Sequence, residues 1–155
     1  MDEKTFASTN EANLELALNL DLGSSEFVYV RGKLMIKINP IYFDLDKSYI
    51  RPDAELELER VVRIMQKYPE LKINLGSHTD SRARDAYNWS LSTRRARSSK
   101  NWIVRQGIDP SRIKAEGFGE TELVNKCSNG VNCSEDDHQL NRRTEFVIVN
   151  PEVIK

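Results

Sequence analysis

Between Pro52 and Pro69 the chain carries an apolar stripe. Ala54, Leu58, Val61, Met65 and Tyr68 follow at steps of 4, 3, 4 and 3, which is one face of an α-helix. Pro52 suits the first helical position. Tyr68-Pro69 stops the helix, because a residue before proline is pushed out of the helical region. A strand follows at once: Leu71, Ile73 and Leu75 alternate with Lys72, Asn74 and Gly76. A second helix runs from about Ala86 to Arg105 and is ended by Gly107. Further strands are read at Ile113 to Phe118 and at 144–149, TEFVIV. Upstream, FVYV and KLMIKI flank Arg31-Gly32 and predict a hairpin, which Pro40 ends. IYFDL, 41–45, reads as a short buried strand, and 119–141 as a long polar excursion. The order β-α-β-α-β-loop-β predicts an α/β fold, an α+β sandwich in which helices pack on a mixed sheet through right-handed crossovers.

Residues 1–26 read as a linker or arm, and 27–155 as the domain. Leu14, Leu16, Leu18, Leu20 and Leu22 alternate with other residues, which suggests an extended arm or edge strand. A chain of 155 residues buries roughly 70% of its unfolded surface, so it needs no metal or disulfide to fold. The net charge of -1 argues against a nucleic-acid or anionic-membrane binder. No apolar run approaches the roughly 20 residues of a bilayer helix. MDEKTFASTN has no signal-peptide core. Met1 thus starts either a cytoplasmic protein or a piece of a longer exported one. Cys127 and Cys133 enclose SNGVN, with an Asn129-Gly130 turn signal. A small disulfide loop is favoured over free thiols. A metal site would need about four ligands, with only His78 and His138 to add. A disulfide implies an oxidising compartment.

Polar residues concentrate after the strand that ends at Gly76, and ligands of α/β sheets favour such strand ends. Asp80 lies in that loop. Asn88, Leu91 and Arg95 share one face of the next helix, at i, i+3 and i+7. Asp46 follows the first strand and falls at the same edge. A fixed carboxylate accepts from an ammonium, and a fixed guanidinium clamps a carboxylate, so the pair matches a zwitterion. On spacing alone the plainer alternative is favoured: Asp80 and Arg95 bridge each other and only brace the loop. No G-x-S-x-G elbow supports a hydrolase, and no phosphate loop is present. The cluster Arg94, Arg95, Arg97 lacks interleaved aromatics. His78 reads as structural, bonding its neighbours' backbone, and His138 as solvent-exposed.

SHTDSRARDAYNWSLSTRRARS resembles the signature of the OmpA-like peptidoglycan-binding domains, TD-x-x-G-x-x-x-x-N-x-x-L-S-x-x-R-A, a family that includes Pal lipoproteins and MotB-type stators. The pattern falls on Thr79, Asp80, Asn88, Leu91, Ser92, Arg95 and Ala96. IYFDLDKSYI (41–50), GFGE (117–120) and NRRTEF (141–146) resemble further family segments, so the likeness spans about 34–150. Ala83 stands where glycine is usual. A positive φ there would cost about a kcal/mol, so a slightly different loop path is expected. The resemblance implies a non-enzymatic protein without cofactor or metal. It would bind the meso-diaminopimelate of the peptidoglycan stem peptide, with Asp80 on the ammonium and Arg95 on the carboxylate. Leu91 would pack on the methylenes, and Asn88, Leu45 and Asp46 would line the pocket. The cysteine excursion would lie away from it. The expected setting is periplasmic, attached to the outer membrane through a region upstream, as a monomer or weak dimer. The alternatives are a hydrolase or amidase of the wall peptide, or a stator-type module, which would need an upstream membrane helix that this chain does not show.

Overall fold

The computed structural model describes residues 26–154. The arm read at 1–26 lies outside them, apart from Glu26. Strand β1 (Phe27–Val30) and strand β2 (Lys33–Ile36) form the expected hairpin. Arg31 and Gly32, with φ of 50° and 76°, supply the two left-handed residues of a tight turn. Helix α1 (Pro52–Lys67) precedes strand β3 (Ile73–His78). Helix α2 (Asp85–Arg105) precedes strand β4 (Ile113–Gly119). A short helix, α3 (Glu135–Gln139), leads into strand β5 (Thr144–Ile148).

The five strands form one mixed sheet in the order β1-β2-β5-β3-β4. β3 pairs in parallel with β4, while β5 pairs antiparallel with β3 on one side and with β2 on the other. The last strand thus enters the sheet between β2 and β3. The core collects Leu58, Val61 and Met65 of α1, Ile103 of α2, Ile73 and Leu75 of β3, and Phe146 of β5. The helical stripe read from the sequence is the buried face, with Tyr68 at its margin. Arg112 closes the end of α1 by donating to the carbonyls of Met65, Tyr68 and Leu71.

α2 lies directly against β4. A side chain at Gly117 would meet the backbone nitrogen of Thr93 at 2.2 Å, so the helix can approach only because that residue is glycine. The same contact brings Ser92 Oγ to 2.9 Å from the Gly119 amide, which donates to it. This seating fixes the part of α2 that carries Arg95.

Two expectations are corrected. Residues 41–45 are not a strand. Ile41 is buried, but Leu45 is 87% exposed, and Asp46 turns the chain with φ of 59°. β5 takes the ladder beside β2, and the carbonyls of Asp44 and Lys47 are instead held by Arg95. The polar excursion is also not all loop. Ser134 caps α3 by accepting the Asp137 amide, and Glu135, Asp136 and Asp137 place acids at the helix start.

Candidate functional site

Asp80 sits just past the carboxyl end of β3 and is buried. Its Oδ1 accepts the Arg82 backbone amide at 3.0 Å. Its Oδ2 accepts Arg82 Nη2 at 2.9 Å and Arg142 Nη1 at 2.8 Å. Burial pushes this carboxyl up, but the hydrogen bonds from Arg82 and Arg142 overcome it and hold the group at about 2. Asp80 is therefore ionised at neutral pH. Both guanidiniums also reach Glu135 at the start of α3, Arg82 at 2.7 Å and Arg142 at 2.6 Å.

Arg95 is half-buried on α2 and stacks over the Phe43 ring, 4.8 Å from its centroid. Its Nε donates to the Lys47 carbonyl at 3.0 Å, and Nη2 to the Asp44 carbonyl at 3.2 Å. Nη1 has no hydrogen-bond partner among the described residues. Burial, opposed by nearby Tyr87, moves the guanidinium pKa down. It stays charged, because arginine titrates far above neutrality. Asp80 and Arg95 form no ion pair with each other, so the loop-bracing alternative does not describe this site. Arg142 connects them. It pairs with Asp80 and lines a cavity of about 60 Å³ together with Arg95, Phe43, Ser77 and Thr144.

The remaining expected site residues are placed as follows. Asn88 is buried, and its amide shares its two hydrogens among the carbonyls of Asp80 and Ala83 in the loop and the Glu120 carboxylate after β4. Leu91 is buried on α2. Leu45 projects into solvent, and Asp46 accepts from the Tyr87 hydroxyl. Ala83 has no positive φ. The only non-glycine residues that do, among the described residues, are Arg31 and Asp46. The loop follows a path on which a methyl group carries no backbone strain.

Cys127 and Cys133 are joined by a disulfide, with Cα atoms 6.0 Å apart. Asp137 lies beside them, but sulfurs bonded to each other are not the thiolates that ligate metals. The excursion does not lie away from the site. The Ser81 hydroxyl, next to Asp80, donates to the Cys127 carbonyl, and Glu135 holds Arg82. His138 is buried, not exposed, because α3 folds back onto this loop. The His78 side chain does not bond its neighbours' backbone. Its Nε2 lies 3.4 Å from Glu145 Oε1, and its ring stacks on Phe118. Glu145 also accepts from Arg31 and Arg143, and it is held at about 2: burial raises it, but His78 and Arg143 lower it more. Sequence reading missed Arg82, Arg142 and Glu135. The N-cap spacing of Ser134 and Asp137 and the run NRRTEF were the available signals for the last two.

Porin F of the outer membrane of Pseudomonas fluorescens is 38% identical over 116 residues, which are 75% of this chain and 32% of that protein. A peptidoglycan-associated lipoprotein of Brucella melitensis is 33% identical over 87 residues, 56% of this chain and 52% of that protein. The chain thus spans about a third to a half of these relatives' length. A crystal structure of a MotB-like protein from Desulfovibrio vulgaris superimposes with a TM-score of 0.65 at 25% identity, covering 94% of this chain and 91% of that one. The OmpA family model matches residues 42–136, a stretch that holds Asp80 in its loop and Arg95 on its helix, and the chain belongs to the OmpA family.

Proposed function

We propose that this domain binds peptidoglycan without cleaving it, by holding the meso-diaminopimelate end of the stem peptide between Asp80 and Arg95. One observation carries the reading. A buried, ionised carboxylate and a half-buried guanidinium lie at one end of the sheet without neutralising each other. The guanidinium keeps an unused Nη1 group. Such a pair suits a ligand with an ammonium and a carboxylate on one carbon. The peptidoglycan-associated lipoprotein among the relatives supports the choice of wall as ligand. In this reading residues 27–155 form the wall-binding unit. It acts in the periplasm and tethers an outer-membrane protein, and Leu91 backs the site while Asn88 fixes its loop. Asp46 and Leu45 rim it from the turn that Arg95 holds.

The test is co-sedimentation with purified peptidoglycan of two kinds, one built on diaminopimelate and one on lysine. The domain should pellet with the first, pellet weakly with the second, and release no soluble fragments from either. Asp80→Asn and Arg95→Ala each remove a charged half of the recognition, worth about 2–5 kcal/mol, and should abolish pelleting with the fold intact. Arg95→Lys should also fail, since an ammonium cannot make the two-pronged contact. Variants that pellet like the wild type would show that the site is elsewhere.

A further inference from the structure

Asp80 is an acceptor with its capacity nearly filled. An ionised carboxylate offers about four lone-pair sites. Three are occupied, by the Arg82 amide, by Arg82 Nη2 and by Arg142 Nη1. The two guanidiniums also share Glu135, so Asp80, Arg82, Glu135 and Arg142 close into a ring of two acids and two bases. The ring has no net charge. An arriving ammonium therefore meets a carboxylate already paired with two cations, and it gains a full contact with Asp80 only where one of them lets go.

The two cations are not equivalent. Arg142 lies just before β5 and lines the cavity it shares with Arg95. Its side chain is 33% exposed, against 48% for Arg82. Arg82 reaches the ring from an exposed loop, and Glu135, its second partner, is 61% exposed. If Arg82 lets go of Asp80 it keeps its bond to Glu135, and both groups already face water. Arg142 has less room to leave.

We propose that Arg82 sets the binding threshold of the site: it is an internal cation that occupies the ammonium position on Asp80 and must swing onto Glu135 alone before a ligand ammonium can enter. The inference rests on the reading of Asp80 as the ammonium acceptor. Binding is then an exchange of one cation for another. A ligand that brings only an ammonium gains little from the exchange, and one that also engages Arg95 gains a second contact. Arg82 would thereby sharpen selection for the doubly charged end of the stem peptide.

The experiment is calorimetric titration of the intact domain with free meso-diaminopimelate, together with pelleting on diaminopimelate-type walls. The proteins are wild type, Arg82→Ala, Arg82→Gln, Asp80→Asn, and the double variant Arg82→Ala/Asp80→Asn. The Arg82 side of this pair is exposed and screened by solvent, so its removal corresponds to about a two- to five-fold change in binding, and Arg82→Ala and Arg82→Gln should bind that much more tightly. The double variant should bind no better than Asp80→Asn. Weaker or unchanged binding by both Arg82 variants, with Asp80→Asn still impaired, would overturn the proposal and leave the site reading standing, with Arg82 as a brace for Asp80. Binding by Asp80→Asn equal to that of wild type would overturn the site reading, and this proposal with it.

Discussion

Gly117→Ala is the sharpest test of how the fold positions its site. The new methyl carbon would lie 2.2 Å from Thr93 N, 2.5 Å from Thr93 Cα and 2.5 Å from Thr93 Oγ1. Real Cβ contacts essentially never fall below 3.0 Å, so α2 and β4 must separate by about 0.8 Å or more. The nitrogen and Cα of Thr93 are backbone atoms, so no rotamer change relieves the contact. Overpacking of this kind costs about 1–3 kcal/mol, and the rigid partners place this case near the upper end. The site should suffer as well. Arg95 follows Thr93 by two positions, and its bonds to the Lys47 and Asp44 carbonyls, 3.0 and 3.2 Å long, would not survive a shift of that size. Gly76→Ala is the control, because its methyl meets the Phe118 ring edge at 2.8 Å, the end of a side chain that can turn. Urea unfolding should show Gly117→Ala losing clearly more stability than Gly76→Ala, with similar slopes. Wall binding should fall further than the folded fraction does. Equal losses in the two variants, or full binding by folded Gly117→Ala, would refute the close helix–strand seat as the device that places Arg95.

Two other outcomes follow from the geometry. Glu145 is held at about 2 against an ordinary 4.5, and Asp80 at about 2 against 3.8. A lowered carboxyl adds stability above its unfolded value and loses it as pH falls through the folded one. Glu145, at 7% side-chain exposure, should thus contribute up to about 3 kcal/mol that disappears between roughly pH 4.5 and pH 2. Unfolding midpoints across that range should fall less steeply in Glu145→Gln, and a slope identical to that of wild type would exclude this cluster as the acid-labile one. Opening the disulfide between Cys127 and Cys133, six positions apart, should cost about 2 kcal/mol in the loop-entropy picture. Wall binding should persist, since Ser81 is held by the Cys127 carbonyl and not by a sulfur. Loss of binding in the double serine variant, still folded, would show that the loop positions Asp80.

The sequence by itself determined the elements whose cause is local. The stripe from Ala54 to Tyr68, the alternation around Ile73, and the Arg31-Gly32 turn each depend on neighbours within a few positions, and each formed as read. It also placed Asp80 and Arg95 at one end of the sheet, because the strand, loop and helix that carry them are consecutive. Tertiary structure decided the rest. β5 slots between β2 and β3, and no periodicity in 144–149 announces that neighbour. The segment 41–45, apolar enough to read as a strand, has no place beside β2 once β5 is there, since β1 holds the other side. Arg142 reaches Asp80 across 62 positions, and Glu135 reaches Arg82 across 53. Side chains that far apart meet only when the sheet closes. The charge balance around Asp80 is therefore a property of the folded chain, since an ion pair needs proximity, which the intervening sequence does not encode locally.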